Sequence, residues 1–288
     1  MVDETARAGT FWLTLTGGEP FLHPGFDLIY ERAIRAGMLV TLFTNGTSLT
    51  RERVTWLSRR PPRNMEATLY GFSRRSYARV TGRAQNFDRA RDGIRRAVAA
   101  GLSVQVKCMV FDETIEDLEA IRDFAAALGQ SFRFDTLLHS TLGGSAEPGR
   151  HRLGVERALA LETTLPAASG RVECEGAPSR QLFRCGAGRY AYLVAPDGAL
   201  QLCTLLRKTR VDLARTSFLD AWRRLQRQTR RKYPARAKCG RCEVRTECAI
   251  CPGLAEVESG HDTAAPQHLC AAARHKAMMR APRALVGD

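Results

Sequence analysis

Seven cysteines crowd the stretch from residue 185 to residue 270, at Cys185, Cys203, Cys239, Cys242, Cys248, Cys251 and Cys270. Ionised thiols are soft ligands that suit iron–sulfur clusters and zinc. The register is Cys185-x12-Gly198-x4-Cys203, then Cys239-x2-Cys242-x5-Cys248-x2-Cys251, then Cys270. A CxxC loop turns two sulfurs toward one metal centre. Seven thiols exceed what one tetrahedral zinc takes and suit two sites, since an iron–sulfur cluster uses up to four. The competing reading is one zinc on Cys239, Cys242, Cys248 and Cys251. The gap between those CxxC pairs is short for a zinc ribbon, whose gap is about 15 to 20 residues. Cys108 falls on an expected strand and reads as core. Cys174 has no evident role.

The second stretch with chemical potential is Phe11 to Pro20, FWLTLTGGEP. Phe11 to Thr16 carry no charge and read as a parallel strand covered on both faces. Gly17 and Gly18 let a ligand approach the backbone. Glu19 puts a carboxylate at the strand's C-terminal end, where parallel α/β folds place their chemistry. Pro20 stiffens the exit. A plain βα turn with a surface glutamate is the alternative.

The elements that must position these groups alternate. Strands are expected at Phe11–Thr16, Leu39–Thr44, Met65–Tyr70, Ser103–Phe111 and Ser131–Leu138. Helices are expected at Gly25–Ala36, from near Thr50, at Phe87–Ala100 and at Ile115–Leu128, with glycines after several of them. Asn45-Gly46 reads as a βα loop on the same face as the Gly17–Pro20 turn. The stretch after Gly71-Phe72 reads as a polar loop. Five βα repeats at this spacing imply a parallel sheet or an open barrel with right-handed crossovers. A helix is expected at Val155–Leu165. Residues 166–184 read as a linker rich in Ala, Gly and Pro at its start. Beyond it, Pro196-Asp197-Gly198 marks a hairpin, a helix spans about Ser217–Arg230, and the cysteine-rich loops follow. The domains are therefore 1–165, 185–275 and a tail at 276–288.

The chain's 288 residues can bury a large core and a smaller second one. A net charge of +14, nearly all arginine, admits acidic partners. The arginines are dispersed, and the densest run, Arg223 to Lys238, has Tyr233 as its one aromatic beyond the run's start. That pattern argues against nucleic acid and for a solvated basic surface. No apolar run approaches the ~18 residues of a membrane span. The polar N-terminus is not a secretory signal. A cytoplasmic setting follows by default, where nine cysteines argue for metal rather than disulfides.

With the GGEP turn, the Thr44-Asn45-Gly46 turn and this cysteine register in order, the chain resembles the radical S-adenosylmethionine superfamily. Within it, the chain is similar to the branch with a C-terminal SPASM extension. The resemblance spans nearly the whole chain; Cys248 to Cys251 is one residue shorter than the branch pattern. It implies a partial (β/α)6 TIM-like barrel missing its first βα unit, followed by a small Cys-rich SPASM-type domain. It implies that Gly17, Gly18, Glu19 and Pro20 hold the cofactor's amino group, that Thr44 and Asn45 line its pocket, and that Thr68 meets its ribose. Arg133 would meet its carboxylate, or else pair with a residue such as Asp135. It further implies two auxiliary [4Fe-4S] clusters, one on Cys185, Cys203 and Cys251, the other on Cys239, Cys242, Cys248 and Cys270.

The superfamily's Cys-x3-Cys-x2-Cys loop precedes GGEP, and this sequence has no cysteine before Cys108. Ala6 to Gly9 read as the stump of a helix. The expectation is a start site placed too late, or a fragment. Two functions follow. The first is an enzyme that cleaves S-adenosylmethionine and modifies a peptide or protein by radical chemistry, fed by a reductase or flavodoxin-type donor. The second is a non-catalytic iron–sulfur protein for electron transfer or partner binding. Thr204 stands where sulfatase-maturing relatives carry Asp, which argues against formylglycine formation.

Overall fold

A computed structural model describes residues 1–165 and 180–280. Cys174, most of the expected linker and the end of the tail lie outside the described residues. The chain forms two compact units, one built on Met1–Leu137 and the other on Leu138–Thr164 together with residues 180–280. Helix α7 (Val155–Thr164) groups with the second unit, where it packs along α10 (Gln267–Arg280).

The first unit opens on a short helix, α1 (Val2–Arg7), and then runs as βα repeats. Its strands are β1 (Trp12–Leu15), β2 (Leu39–Thr44), β3 (Asn64–Leu69), β4 (Val104–Met109) and β5 (Phe132–Asp135). They form one parallel sheet in sequence order. Helices α2 (Phe26–Arg35), α3 (Arg51–Ser58), α4 (Arg74–Thr81), α5 (Asn86–Ala99) and α6 (Leu118–Ala127) make the crossovers. Alternation along each strand splits the sheet into two faces. Val40, Leu42, Met65, Ala67, Leu69, Val104, Val106, Cys108 and Phe134 are buried in the core. The opposite face is largely polar: Thr68, Lys107 and Arg133 stand side by side in register, with Glu66 and Thr41 on the same face.

Two expectations fail here. β1 is not covered on both faces: Phe11 is 65% and Trp12 52% exposed. The strand is the sheet's edge, with β2 as its single neighbour, so its apolar residues gain half the cover of a central strand. Trp12 offsets part of this by donating its indole N–H to Thr41 Oγ1 at 2.9 Å. The stretch after Phe72 is a helix, α4, and not a loop. Ser73 accepts from the Ser76 backbone N–H while Ser76 Oγ accepts from that of Ser73, a capping box built from two serines. Gly82, at φ +69°, ends the helix.

The second unit contains a three-stranded antiparallel sheet of β6 (Leu193–Val194), β7 (Ala199–Gln201) and β8 (Arg210–Asp212). The hairpin at Gly198 falls where Pro196-Asp197-Gly198 places it; the third strand was not expected. Helix α8 (Phe218–Gln228) packs Phe218 and Trp222 against Tyr192. A further helix unforeseen in the sequence, α9 (Pro252–Ser259), starts directly from Cys251. Among the described residues no helix is long and apolar enough to cross a membrane.

Candidate functional site

The turns after β1, β2 and β3 emerge at the same, C-terminal edge of the parallel sheet. Glu19 joins the first two. Its carboxylate accepts from Thr44 Oγ1 at 2.9 Å to each oxygen and from the Asn45 backbone N–H at 2.8 Å. The Phe21 backbone N–H adds a longer contact at 3.4 Å. Thr44 has one proton to give, so about three of the roughly four acceptor positions of the carboxylate are used. One position remains for an external donor. Burial raises the Glu19 pKa, with the contacts from Asn45, Thr44 and Phe21 pulling the other way.

The loop that presents Asn45 is tied internally. Thr44 Oγ1 accepts from the Gly46 N–H, and Asn45 Oδ1 accepts from both the N–H and the hydroxyl of Thr47. Asn45 thus reaches Glu19 through its backbone, while its side-chain oxygen holds the loop. Gly46, at φ +77°, rests on α5: a Cβ on Gly93 would lie 2.3 Å from the Gly46 oxygen. At the first turn, Gly17 has φ +147°, and a Cβ at either Gly17 or Gly18 would meet no atom within 4 Å. The backbone there faces open space. Pro20 is buried beneath the turn.

Thr68 and Arg133 stand lower on the polar sheet face. Arg133 pairs with Glu66 at 3.1 Å rather than with Asp135, whose carboxylate accepts from the Leu137 N–H. Glu66, itself buried, also meets Lys107 at 3.5 Å. The Arg133 Nε is buried without a partner. Tyr70, at the end of β3, was missed in the sequence. Burial and then the charge of Glu19 raise its pKa, so it sits within the field of the same carboxylate. Its position at the third turn of the sheet edge is the signal that marks it.

In the second unit, Cys239, Cys242, Cys248 and Cys270 line one cavity, together with Arg245 and Leu269. Cys185, Cys203 and Cys251 are brought together elsewhere in that unit: the charges of Cys203 and Cys185 both act on Cys251. Cys251 caps α9, its Sγ accepting from the Leu254 N–H at 3.4 Å. A Cβ on Gly253 would lie 3.3 Å from Cys203 Sγ and 2.8 Å from Leu205. That glycine lets the start of α9 approach the Cys203 loop. Burial raises the thiol pKa values of Cys203, Cys239 and Cys248, and pushes Cys251 up to about 11. Backbone N–H groups of Leu205 and Leu206 on Cys203, Ile250 on Cys248, and Leu254 and Gly253 on Cys251 oppose that rise. Among the described residues no three His, Cys, Asp or Glu side chains stand close enough to share a single metal ion. Cys108 belongs to neither set; it is buried in the sheet core, where desolvation pushes it up to about 12.

Residues 1–125 match the model of the Radical SAM superfamily. The chain is 23% identical over 287 residues to the AdoMet-dependent heme synthase of Methanosarcina barkeri, covering 90% of this chain and 82% of that protein. It is 25% identical over 266 residues to the mycofactocin maturase MftC of Mycobacterium tuberculosis, covering 86% and 67%. In fold it is similar to Streptococcus suis SuiB bound to the precursor peptide SuiA, with a TM-score of 0.71 at 14% identity over 93% of this chain and 69% of that one.

Proposed function

We propose that the chain binds S-adenosylmethionine at the Gly17–Asn45 edge of its sheet and serves radical modification of a peptide or protein. The observation that carries this reading is the Glu19 bridge, which welds the GGEP and Thr44-Asn45-Gly46 turns into one cradle. Its half-buried carboxylate keeps an acceptor position open beside exposed glycine backbone, which suits an ammonium group. A charge-assisted hydrogen bond there is short and about twice as strong as a neutral one. Thr68 and Arg133 on the polar face are assigned to the ribose and the carboxylate. When bound, the cofactor supplies the carbon that abstracts hydrogen from the substrate. This chain's own part is to fix the cofactor's amino-acid end and to keep that end of the sheet ordered.

Two sets of thiols in the second unit are assigned to two [4Fe-4S] clusters. Cys239, Cys242, Cys248 and Cys270 form one set; Cys185, Cys203 and Cys251 form the other, with a non-Cys ligand or an open position. Their chemistry fits: the donors are all sulfur, and several already receive backbone N–H groups, which favour the ionised thiol. A four-iron cluster spreads its ligands more widely than one ion does, in keeping with thiols that share a cavity without converging on a point. The peptide assignment leans on the relatives, among which SuiB is seen with a precursor peptide. An acidic segment of such a substrate would suit a chain of net charge +14.

A second reading, an iron–sulfur protein for electron transfer or partner binding, draws on the cysteine sets of the second unit alone. The reading frame ahead of Met1 separates the two: an in-frame Cys-x3-Cys-x2-Cys supports the enzyme, and an early stop codon supports the alternative. The cradle itself is tested by calorimetric titration of S-adenosylmethionine into the anaerobically reconstituted chain. Saturable binding that Glu19→Ala weakens is expected. Binding indifferent to Glu19 overturns the assignment.

A further inference from the structure

Arg245 is among the most deeply buried side chains in the described structure, 2% exposed. It lines the cavity that holds Cys239, Cys242, Cys248 and Cys270. Its polar contacts are few. Nη1 donates to the Ile250 carbonyl at 3.4 Å, near the limit of a hydrogen bond, and the guanidinium lies over the Tyr233 ring at 5.0 Å. Nε and Nη2 are buried with no partner. Among the described residues no carboxylate pairs with it. A buried cation costs several kcal/mol unless an anion offsets it, and a cation–π contact of about 2 kcal/mol does not close that gap. The groups lining the cavity that can carry negative charge are the four cysteines. The charge of Arg245 already acts on two of them, Cys239 and Cys248. A second arginine frames the same loop: Arg184 donates Nη2 to the Cys248 carbonyl at 2.8 Å, and its Nε is also buried and unpartnered. The Tyr233 hydroxyl beside them is likewise unpartnered.

We propose that Arg245 is the built-in counter-charge of an anionic iron–sulfur–thiolate group in this cavity, donating its orphaned Nε and Nη2 hydrogens to sulfur and setting that group's reduction potential. The inference rests on the assignment of the four cysteines to a cluster. Four thiolates on a [4Fe-4S] core leave a net negative group, and one-electron reduction makes it more negative with no bond formed or broken. A fixed cation at close range in a low-dielectric site favours the reduced form. Arg245 therefore raises the potential, and it does so as a positioning and electrostatic residue, not as a ligand.

The test uses the full chain, reconstituted anaerobically and titrated with an electrode through redox mediators while its absorbance and electron paramagnetic resonance are followed. Iron is counted on the same samples. Arg245→Met keeps the volume and removes the charge; Arg245→Lys keeps the charge. In Arg245→Met one of the two reduction steps is expected to move to lower potential, the reduced-to-oxidised ratio at fixed potential falling at least tenfold, which is 59 mV for one electron. The other step stays in place, and Arg245→Lys stays near the parent. Loss of about four irons from Arg245→Met with retention in Arg245→Lys also supports the proposal, because charge then decides. Unchanged potentials at full iron content overturn it, as does equal loss of iron from both variants, which marks a purely structural side chain. A parent chain that takes up zinc in place of iron refutes the cluster assignment instead, and the iron count shows which has failed.

Discussion

The two units solve opposite problems with buried charge. In the first, the carboxylate of Glu19 is met from within by Thr44, Asn45 and Phe21, and Glu66 is met by Lys107 and Arg133. In the second, Arg245 and Arg184 carry buried nitrogens with no partner around sulfurs that burial holds in the neutral form. The difference teaches where each site gets its order. The Glu19 cradle is nearly complete in the protein's own hydrogen bonds, so it stands ready for a ligand that adds one more. By the proposed assignment, the four-cysteine cavity balances only when its thiols ionise, which would couple its order to a bound cluster.

That contrast can be broken at either end. The largest effect is expected from Cys239→Ala combined with Cys242→Ala, which should remove about half of the bound iron. The affinity for S-adenosylmethionine should stay within about twofold, since the cradle's ties lie in the other unit. A joint collapse of iron and cofactor binding, read by metal analysis and calorimetry, would deny the cradle its independence. Next, Glu19→Ala should leave iron unchanged and weaken cofactor binding. Losing a hydrogen-bonded charge costs about 1.5–3 kcal/mol, which is roughly 10- to 150-fold in affinity.

Gly93→Ala should be felt at a distance from the ligand. The new Cβ would sit 2.3 Å from the Gly46 oxygen, and overpacking of this kind costs about 1–3 kcal/mol. A lower melting temperature with weaker cofactor binding is expected; an unchanged melting curve would show that α5 gives way freely.

The pH dependence sharpens the comparison further. Burial raises the Glu19 pKa above its unfolded value. Its ionisation therefore lowers the stability of the ligand-free chain as pH rises from the unfolded value through the folded one. Binding of an ammonium needs the ionised form, so affinity should be lost as pH falls through that same raised value. Titrations run downward from neutral pH read this directly; affinity that stays flat down to the ordinary glutamate range would remove Glu19 from the contact. The smallest effect belongs to Arg53→Ala. Its guanidinium lies 5.1 to 5.6 Å from the Phe21, Phe26 and Trp56 ring centres, behind the cradle. A loss of about 0.5–1 kcal/mol in chemical denaturation is expected.

Much of the first unit was legible because its signals are local. Gly37, Gly101 and Gly129 each follow a helix, and Val104, Val106 and Cys108 alternate with Gln105, Lys107 and Met109, so strands and crossovers can be read from one short window each. The edge position of β1 was not legible, since neighbour count is a property of the sheet and not of Phe11 or Trp12. Helix α4 was hidden by Arg74, Arg75 and Arg79, which make SRRSYARVTG look like a loop, and by a capping box closed with Ser76 where glutamate or glutamine is usual. Arg245 was the hardest to see. It lies between Glu243 and Glu247 in a stretch that reads as an exposed charged loop, and only the fold shows that the guanidinium turns inward toward four thiols. The two sets of cysteines follow from resemblance alone; the structure places four of them on one cavity.

The most direct measurement is the metal content of the anaerobically reconstituted full chain, with sulfide assayed on the same sample. About eight irons and a matching amount of sulfide per chain are expected, falling to about four when either the Cys185, Cys203, Cys251 set or the Cys239, Cys242, Cys248, Cys270 set is replaced by alanine. One zinc per chain with negligible iron would contradict the account.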